Sequence, residues 1–566
     1  MTSEDIYSFG PRYNNGDTLF RLFAPQRRDV VLEIEGRDPV SMNVAADGFL
    51  AIHAAASPGT RYRFRVDGTA VPDPASRRQS GGVHGWSVLE RPHSHAWRAN
   101  DWRGRDWEET VFYEIHAGLA GGFKGTADRL EFLRDTGFTA IELMPIAAFP
   151  GDRNWGYDGV LPFAPHEAYG SPDELKALVD RAHELGLSIY LDVVYNHFGP
   201  DGNYLSLYAP EFFRRDIHTP WGAAVDFRQE SVRRFFIENA RYWIDEFRFD
   251  GLRLDAVHAI TPSDWLTDLA REVKSAAKDR KIHLVVENDR NEATLLRQGF
   301  DAQWNDDFHH ATHVLLTAES HGYYADFADE PAGRLARTLA EGFAYQGEYS
   351  ENQKRARGTL SSDLPSTAFV CFLQNHDQIG NRALGERLSA LVHPRALEAA
   401  VALLLLAPSI PLVFMGEEIG SETPFLYFTD HGPGLAKAVR EGRAREFSFS
   451  ANDLPDPNGV SSFERSRPKN GGQSEHWTSL YRALLKRRED TIVPRLRGTS
   501  SIYAKAISAT AVMAGWRMGD GSRLTIACNL GEAAVDCRMP LETPIWGEKK
   551  QATLSGRSTV AWLVEA

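Results

Sequence analysis

Four short segments carry the side chains that acid–base and nucleophilic chemistry needs: LDVVYNH at 191–197, GLRLD at 251–255, LVVEND at 284–289 and FLQNHD at 372–377. Each is an apolar stretch ending in a carboxylate, an Arg or a His. A parallel barrel produces this pattern when its strand ends aim polar side chains into one pocket. The chemistry such a set suits is glycosidic-bond cleavage, in which one carboxylate attacks while a carboxylic acid protonates the departing oxygen. Arg253 lies two residues before Asp255, hence on the same strand face, where its fixed charge would keep Asp255 ionised and aligned as a nucleophile. Asp250 precedes Gly251 at the other end of that strand and is expected to face away from the mouth. Taken alone, the segment is equally well explained by a structural Arg–Asp pair.

Glu287 emerges from HLVVE beside apolar surroundings and two anionic neighbours, which raises its pKa and suits it to donate a proton. A strand-end Glu alone is more often a salt-bridge partner. Asp377 follows His376, and Asn196 with His197 closes the 191–197 segment, giving donors and acceptors for sugar hydroxyls. Either His alone could be a satisfied core group; the joint occurrence of four such ends favours function. His309, His310 and His313 share a helical face without the Glu of a zinc-protease motif, so a packed or solvated face is expected. The stretch 118–125 bears glycines but lacks a phosphate-loop Lys and Ser/Thr and reads as an ordinary loop. Glu417 and Glu418 either line the pocket or form structural pairs.

The elements that must position these residues follow from hydrophobic rhythm. From about residue 110 short apolar strands alternate with amphipathic helices, at 111–116, 140–146, 188–196, 251–257, 281–288, 302–305, 368–375 and 411–417. Eight such βα repeats predict a (β/α)8 barrel, an α/β fold. Val232, Phe235, Phe236, Ala240, Trp243, Ile244 and Phe247 follow the spacing of one buried helical stripe, and 476–490 suits a closing helix. Before the barrel, residues 1–95 alternate at period two: Tyr62, Phe64 and Val66 against Arg61, Arg63 and Arg65, and Val30, Leu32 and Ile34 against Val31, Glu33 and Glu35. That predicts an immunoglobulin-like β-sandwich of the kind carbohydrate modules use, with the Pro, Gly and Ser-rich passage 71–85 leading out of it. The barrel domain is expected over 96–494 and a C-terminal antiparallel β domain over 495–566.

Bulk properties narrow the partners. At 566 residues and 42% hydrophobic the chain can build several cores, and disorder is excluded. A net charge of -14 opposes binding to nucleic acid or anionic lipid, so a neutral polymer fits better. The aromatics suit sugar rings, although most fill cores. The window 400–416 is broken by Pro408 and Pro411 and reads as a core helix, a turn and a buried strand, with no membrane span. Cys371, Cys528 and Cys537 lack metal or disulfide spacing and favour a reducing compartment. The start MTSEDIYSFG has no basic or apolar leader, so a cytoplasmic protein is expected.

These segments resemble the α-amylase superfamily of retaining glycosidases and transglycosylases. The resemblance implies Asp255 as nucleophile, Glu287 as general acid/base and Asp377 as transition-state stabiliser. Substrate-binding roles are implied for Tyr157 in NWGYDGV and for Asn196, His197, Arg253, His258 and His376. Finer likeness in YNHFGPDGNYL, TPWGAAVDF, DGLRLDAVHAI and QNHDQIGNR is to the trehalohydrolase branch of that superfamily. It implies a maltooligosaccharide substrate ending in trehalose, cleavage of the α-1,4 bond beside that end, and functional coupling to a maltooligosyltrehalose synthase. Branching by glucan transfer, α-1,6 debranching and a non-catalytic glucan-binding relative are the other readings. Many amylases hold calcium at a long insertion after the third strand. Here the insertion, 198–230, is short and Asn196 is the main matching ligand, so no metal and no cofactor are expected.

Overall fold

A computed structural model describes residues 7–219, 221–447, 453–548 and 552–565. The first six residues of the N-terminal reading and Pro220 of TPWGAAVDF lie outside them. The eight strands predicted for the centre form a closed parallel barrel. They are β1 (Phe112–Ile115), β2 (Ala140–Leu143), β3 (Ser188–Val193), β4 (Gly251–Leu254), β5 (His283–Val286), β6 (Ala302–Trp304), β7 (Phe369–Phe372) and β8 (Ile410–Phe414). Around them run α1 (Leu130–Thr136), α2 (Pro172–Glu184), α3 (Glu230–Asp245), α4 (Trp265–Ala276), α5 (Asp306–Thr317), α6 (Pro331–Glu341), α7 (Pro394–Leu406) and α8 (Ser474–Arg487).

Local sequence explains the helices. Ser171 and Glu174 form a reciprocal capping box at the start of α2, with Pro172 at its first position. The stripe foreseen on α3 is buried as expected, Phe247 included, and each such large apolar side chain contributes about 1.5–3 kcal/mol. The window 400–416 folds as foreseen into α7, a turn and β8. No helix among the described residues is long and apolar enough to cross a membrane.

Three expectations need correction. Between β5 and β6 the described residues hold no α-helix, only the 3-10 turn Leu295–Arg297, so one of the eight repeats lacks its helix. The stretch 118–125 is not a loop: it forms the short helices Ala117–Ala120 and Gly122–Ala127, joined at Gly121 (φ +96°), where a residue without Cβ is favoured. The passage 71–85 does not lead away from the N-terminal sheets, because Gln79–Ser80 and Trp86–Val88 are strands of one of them. Its polar residues are consumed internally: Asp73 accepts from the Tyr62 hydroxyl at 2.8 Å, and its N–H donates to Ser87 Oγ.

The strands also end earlier than their apolar runs. Pairing stops at Leu254 and Val286, so Asp255 and Glu287 stand just past the strand ends, and Asp377 begins beyond β7 in the helix His376–Gly380. Inside the barrel, period-two alternation makes two layers. A lower apolar layer includes Phe112, Ala140, Tyr190 and Val285. Two residues further along their strands, Glu114, Glu142 and Asp192 join Arg253 in a charged layer, each at most 2% exposed. Gly251 starts β4 because a Cβ there would lie 2.2 Å from the His283 carbonyl and 2.3 Å from the Tyr190 ring.

Two antiparallel sheets form the N-terminal part. As the alternation foretold, Tyr62, Phe64 and Val66 are wholly buried, while Arg63 and Arg65 reach across to Glu33 on the other face, each at 2.6 Å. A four-stranded antiparallel sheet, Ser500–Ser508, Ala511–Arg517, Arg523–Asn529 and Ser558–Val564, closes the chain. Thr559 Oγ1 ties it to the Ala399 carbonyl of α7 at 2.6 Å. The three cysteines are free.

Asp250 behaves as a structural carboxylate at the closed end of the barrel. It accepts from Trp102 Nε1 (2.8 Å) and the Ile189 N–H (2.9 Å) and pairs with His183 Nε2 (2.8 Å). Burial alone would raise its pKa; His183, Arg280 and Trp102 overcome that and hold it below the usual range. Asp250→Asn is expected to cost about 3–5 kcal/mol of stability in denaturant titration, with activity per folded molecule near native.

Candidate active site

The charged layer of the barrel is the floor of the site. Arg253, 0% exposed, donates through Nη1 to Asp192 Oδ2 at 2.7 Å and to Asp255 Oδ1 at 2.9 Å. Its Nη2 lies 2.8 Å from Glu287 Oε2 as an ion-pair contact without the alignment of a hydrogen bond. The guanidinium also sits 4.0 Å over the Trp304 ring. Burial works against its charge, but Asp192, Glu287 and Asp255 outweigh burial and hold its pKa well above normal.

The carboxylates respond to having one cation between them. Asp192 is pushed up to about 7, chiefly by burial, against the opposing effect of Arg253. Glu287 is raised as well, by burial and by Asp255, with Arg253 pulling the other way. Asp255 is gripped from a second side, since Asn196 Nδ2 donates to its Oδ2 at 2.7 Å and to its carbonyl at 3.1 Å. Ala256 follows at φ +42°, a costly left-handed conformation for a residue with a Cβ. That conformation accompanies a 2.9 Å hydrogen bond from its N–H to Glu287 Oε2.

A cleft of about 750 Å3, including its mouth, is lined by Glu287 and Asp377 together with Asp289, Asp306, Tyr323 and Arg357. Asp377 accepts from Asn381 Nδ2 at 3.3 Å, and its Oδ1 lies 3.5 Å from His376 Nε2. Burial raises its pKa, His376 opposes that, and Glu287 adds to it. His376 is itself buried and bonded through Nδ1 to Glu114 Oε1. Although burial disfavours its charge, Glu114 and Asp377 push it up to about 9.

The remaining foreseen residues fall as follows. The Tyr157 hydroxyl donates to Asp192 Oδ2 at 2.6 Å, and its ring stacks on His376 at 5.1 Å. His197 bridges the Asn196 side chain and the Tyr157 carbonyl and stacks at 4.0 Å on Trp221. His258 sits at the rim beside Asp289, its Nδ1 3.4 Å from Asp289 Oδ1. His309, His310 and His313 are packed, as expected: His309 bonds to the Leu373 carbonyl and Tyr324, and His313 to Glu319. Glu417 and Glu418 take the structural option, accepting the N–H groups of Phe414 and Gly416 in the turn after β8.

Several site residues escaped the sequence reading. Glu114 and Glu142 form part of the floor, and both carboxyl oxygens of Glu142 lack partners. An acid inside the apolar strands VFYEI and AIEL was the available signal. Asp306, two residues beyond the short β6, is pushed up to about 8 by burial, Glu287 and Asp377. Trp221 is 42% exposed on the insertion after β3 and gave no periodic signal.

Comparison with known proteins supplies the family. The model of the alpha amylase catalytic domain matches residues 99–209 and 211–432. The chain belongs to the α-amylase family of glycoside hydrolases. A domain of unknown function matches residues 500–560 of this α-amylase-family chain. It is 41% identical over 501 residues to the malto-oligosyltrehalose trehalohydrolase of Deinococcus radiodurans, covering 85% of this chain and 83% of that one. The enzyme of the same name from Saccharolobus solfataricus is also 41% identical, covering 85% and 87%. A Salmonella typhimurium protein solved under the description of an alpha amylase superposes with a TM-score of 0.94 at 42% identity, covering 99% and 100%.

The Glu114–His376 pair sets a pH dependence. A histidine whose pKa is raised on folding gives stability that is complete below its unfolded pKa, about 6.5, and lost as pH rises through the folded value. Stability measured by urea unfolding should therefore decline from about pH 6.5 to about 9, and Glu114→Gln should flatten that decline. An unchanged slope in the variant would contradict the pairing.

Proposed function

We propose that the chain hydrolyses the α-1,4-glucosidic bond next to the terminal trehalose unit of maltooligosyltrehalose, releasing trehalose and a maltooligosaccharide. The observation that carries the chemistry is the sharing of Arg253 between Asp255 and Glu287 at the barrel mouth. Two carboxyls held by one guanidinium lie close together. That suits direct attack by Asp255 better than the separation of about 6.5–9.5 Å that admits a water between the pair. The substrate rests on the names of relatives that match across most of their length.

In this reading Glu287, whose pKa burial raises, gives its proton to the departing oxygen while Asp255 bonds to the anomeric carbon. The resulting glycosyl ester is then opened by a water that Glu287 deprotonates, so the configuration is retained. Asp377, which lines the same cleft as Glu287, binds ring hydroxyls and favours the distorted, oxocarbenium-like sugar. Arg253 is wholly buried and serves by orienting Asp255 and Glu287. Tyr157, Asn196, His197 and His376 form the wall and floor for the sugar at the cleavage point, with His258 at the rim. The sandwich over 1–95, the barrel over 96–494 and the C-terminal β domain over 495–566 serve as the three structural units. A synthase that builds the trehalose end supplies the substrate.

Asp255→Asn and Glu287→Gln are each expected to lower turnover by about a thousandfold or more, with circular dichroism and melting temperature near native. Retention of activity in either purified variant refutes its role. Product analysis on maltotriosyltrehalose beside maltopentaose tests specificity: free trehalose from the first and slow hydrolysis of the second are expected. Glucan transfer without trehalose release would instead favour a branching enzyme, and cleavage of α-1,6 bonds a debranching one.

Metal independence is a separate expectation, supported by the engagement of Asn196 Oδ1, the atom that would ligate a cation, with His197 Nδ1. Exhaustive chelation should leave the rate unchanged. Loss of activity restored by calcium would overturn it.

A further inference from the structure

The insertion between β8 and α8 contains the helix Pro433–Glu446, of whose described residues only Ala444 is buried. A helix that hides so little apolar surface adds little to a core. One of its side chains nevertheless reaches the barrel mouth. Arg443 Nη2 donates to the Gly380 carbonyl at 3.0 Å, and Nη1 donates to Asn381 Oδ1 at 3.4 Å. The guanidinium is steadied by the Phe447 and Tyr427 rings, 4.7 and 5.0 Å away, and by Glu446 Oε2 at 3.4 Å.

Both acceptors belong to the turn that carries Asp377. Gly380 ends the helix His376–Gly380, so Arg443 satisfies a carbonyl at its C-terminal end, while Asn375 caps its start by accepting the N–H groups of Asp377 and Gln378. Trp155 fills the space beside Gly380, where a Cβ would come within 2.0 Å of its ring. The turn is therefore clamped between Trp155 and Arg443. Asn381 Nδ2 in turn donates to Asp377 Oδ1 at 3.3 Å. A guanidinium carries only donors, so it must meet the oxygen of the Asn381 amide, and that choice turns the NH2 group toward Asp377. His376 Nε2 lies 3.5 Å from the same Oδ1. These two contacts hold one oxygen of Asp377 and present the other to the cleft.

We propose that Arg443 is a positioning residue for the reaction: through the Gly380 carbonyl and the Asn381 amide it sets the orientation of the Asp377 carboxyl. The inference rests on the role given to Asp377 in the proposed hydrolysis. It gives a task to a helix that contributes almost nothing to the core, and it makes turnover depend on a residue from outside the barrel's strands and their helices.

The test is steady-state kinetics of the full chain on maltotriosyltrehalose, with melting temperatures measured beside it. Arg443→Gln and Asn381→Ala are each expected to lower kcat about tenfold, with KM within about twofold and the melting temperature near native. The double variant should be no slower than the slower single one, because both changes act on the same carboxyl. Arg443→Lys, which can still meet the Gly380 carbonyl but lacks the second arm of the fork, should recover part of the loss. Arg445→Gln, at an exposed position of the same helix, should turn over normally. The inference is overturned if Arg443→Gln keeps native kcat, if its loss multiplies with that of Asn381→Ala, if Arg445→Gln loses as much, or if only the melting temperature falls. Asp377→Asn separates the two readings. Native turnover in that variant defeats the role of Asp377 itself and this inference with it, whereas a deep loss there beside an unaffected Arg443→Gln defeats this inference alone.

Discussion

Arg253 is completely buried and touches three carboxylates, so one positive charge is divided among the wholly buried Asp192 and the partly exposed Asp255 and Glu287. Around that constraint the site arranges itself. Taking a carboxylate out of water is costly, and the cost is met only where aligned donors and a nearby cation compensate. Asp192 and Glu287 share the cation with Asp255, and burial prevails at both, lifting their pKa values. A carboxyl of raised pKa beside a second, donor-aligned carboxylate is what the proposed double displacement requires, and the shortage of positive charge contributes to that rise at Glu287.

The shortage is built into the barrel's geometry. Parallel pairing sets β1 to β4 side by side, and period-two alternation sends Phe112, Ala140 and Tyr190 inward at one level and Glu114, Glu142 and Asp192 inward at the next. The apolar layer below gives the charged layer a low-dielectric base. Gly251 is part of the same arrangement: it leaves room for the Tyr190 ring in the lower layer, so that Arg253, two residues on, enters the upper one. A side chain at 251 would push against Tyr190 and displace the strand that brings Arg253 to the floor.

Much of this was legible from residue order, and the limits are physical. Runs such as HLVVE and GLRLD announced barrel strands and the polarity of their ends, because a strand buried on both faces must be almost wholly apolar until it reaches the mouth. The separation of Asp250 from Asp255 followed from strand direction alone. Strand ends were overestimated because apolar character continues past the last paired residues, into turns such as the one at Ala256. The missing helix between β5 and β6 was invisible because the chain from 287 to 301 is spent on a loop that lines the cleft. Glu114 and Glu142 went unnoticed for a different reason: a buried acid is a rare event that only spatial neighbours explain, and their neighbours are more than twenty residues away.

The division of labour between Asp255 and Glu287 follows from what else each one touches. Asp255 receives an aligned hydrogen bond from Arg253 on one oxygen and from the Asn196 amide on the other, so both lone-pair regions facing the protein are occupied by donors. Glu287 receives the Ala256 N–H and a misaligned guanidinium contact, both on Oε2. Its other oxygen belongs to the cleft. Fewer donors engage Glu287 than Asp255, and burial raises the Glu287 pKa, which suits it to the proposed proton transfer to a departing glycosidic oxygen. The strained turn at Ala256 joins the two roles, since the residue after the proposed nucleophile orients the proposed acid, and any shift of one carboxyl is transmitted through a single peptide to the other.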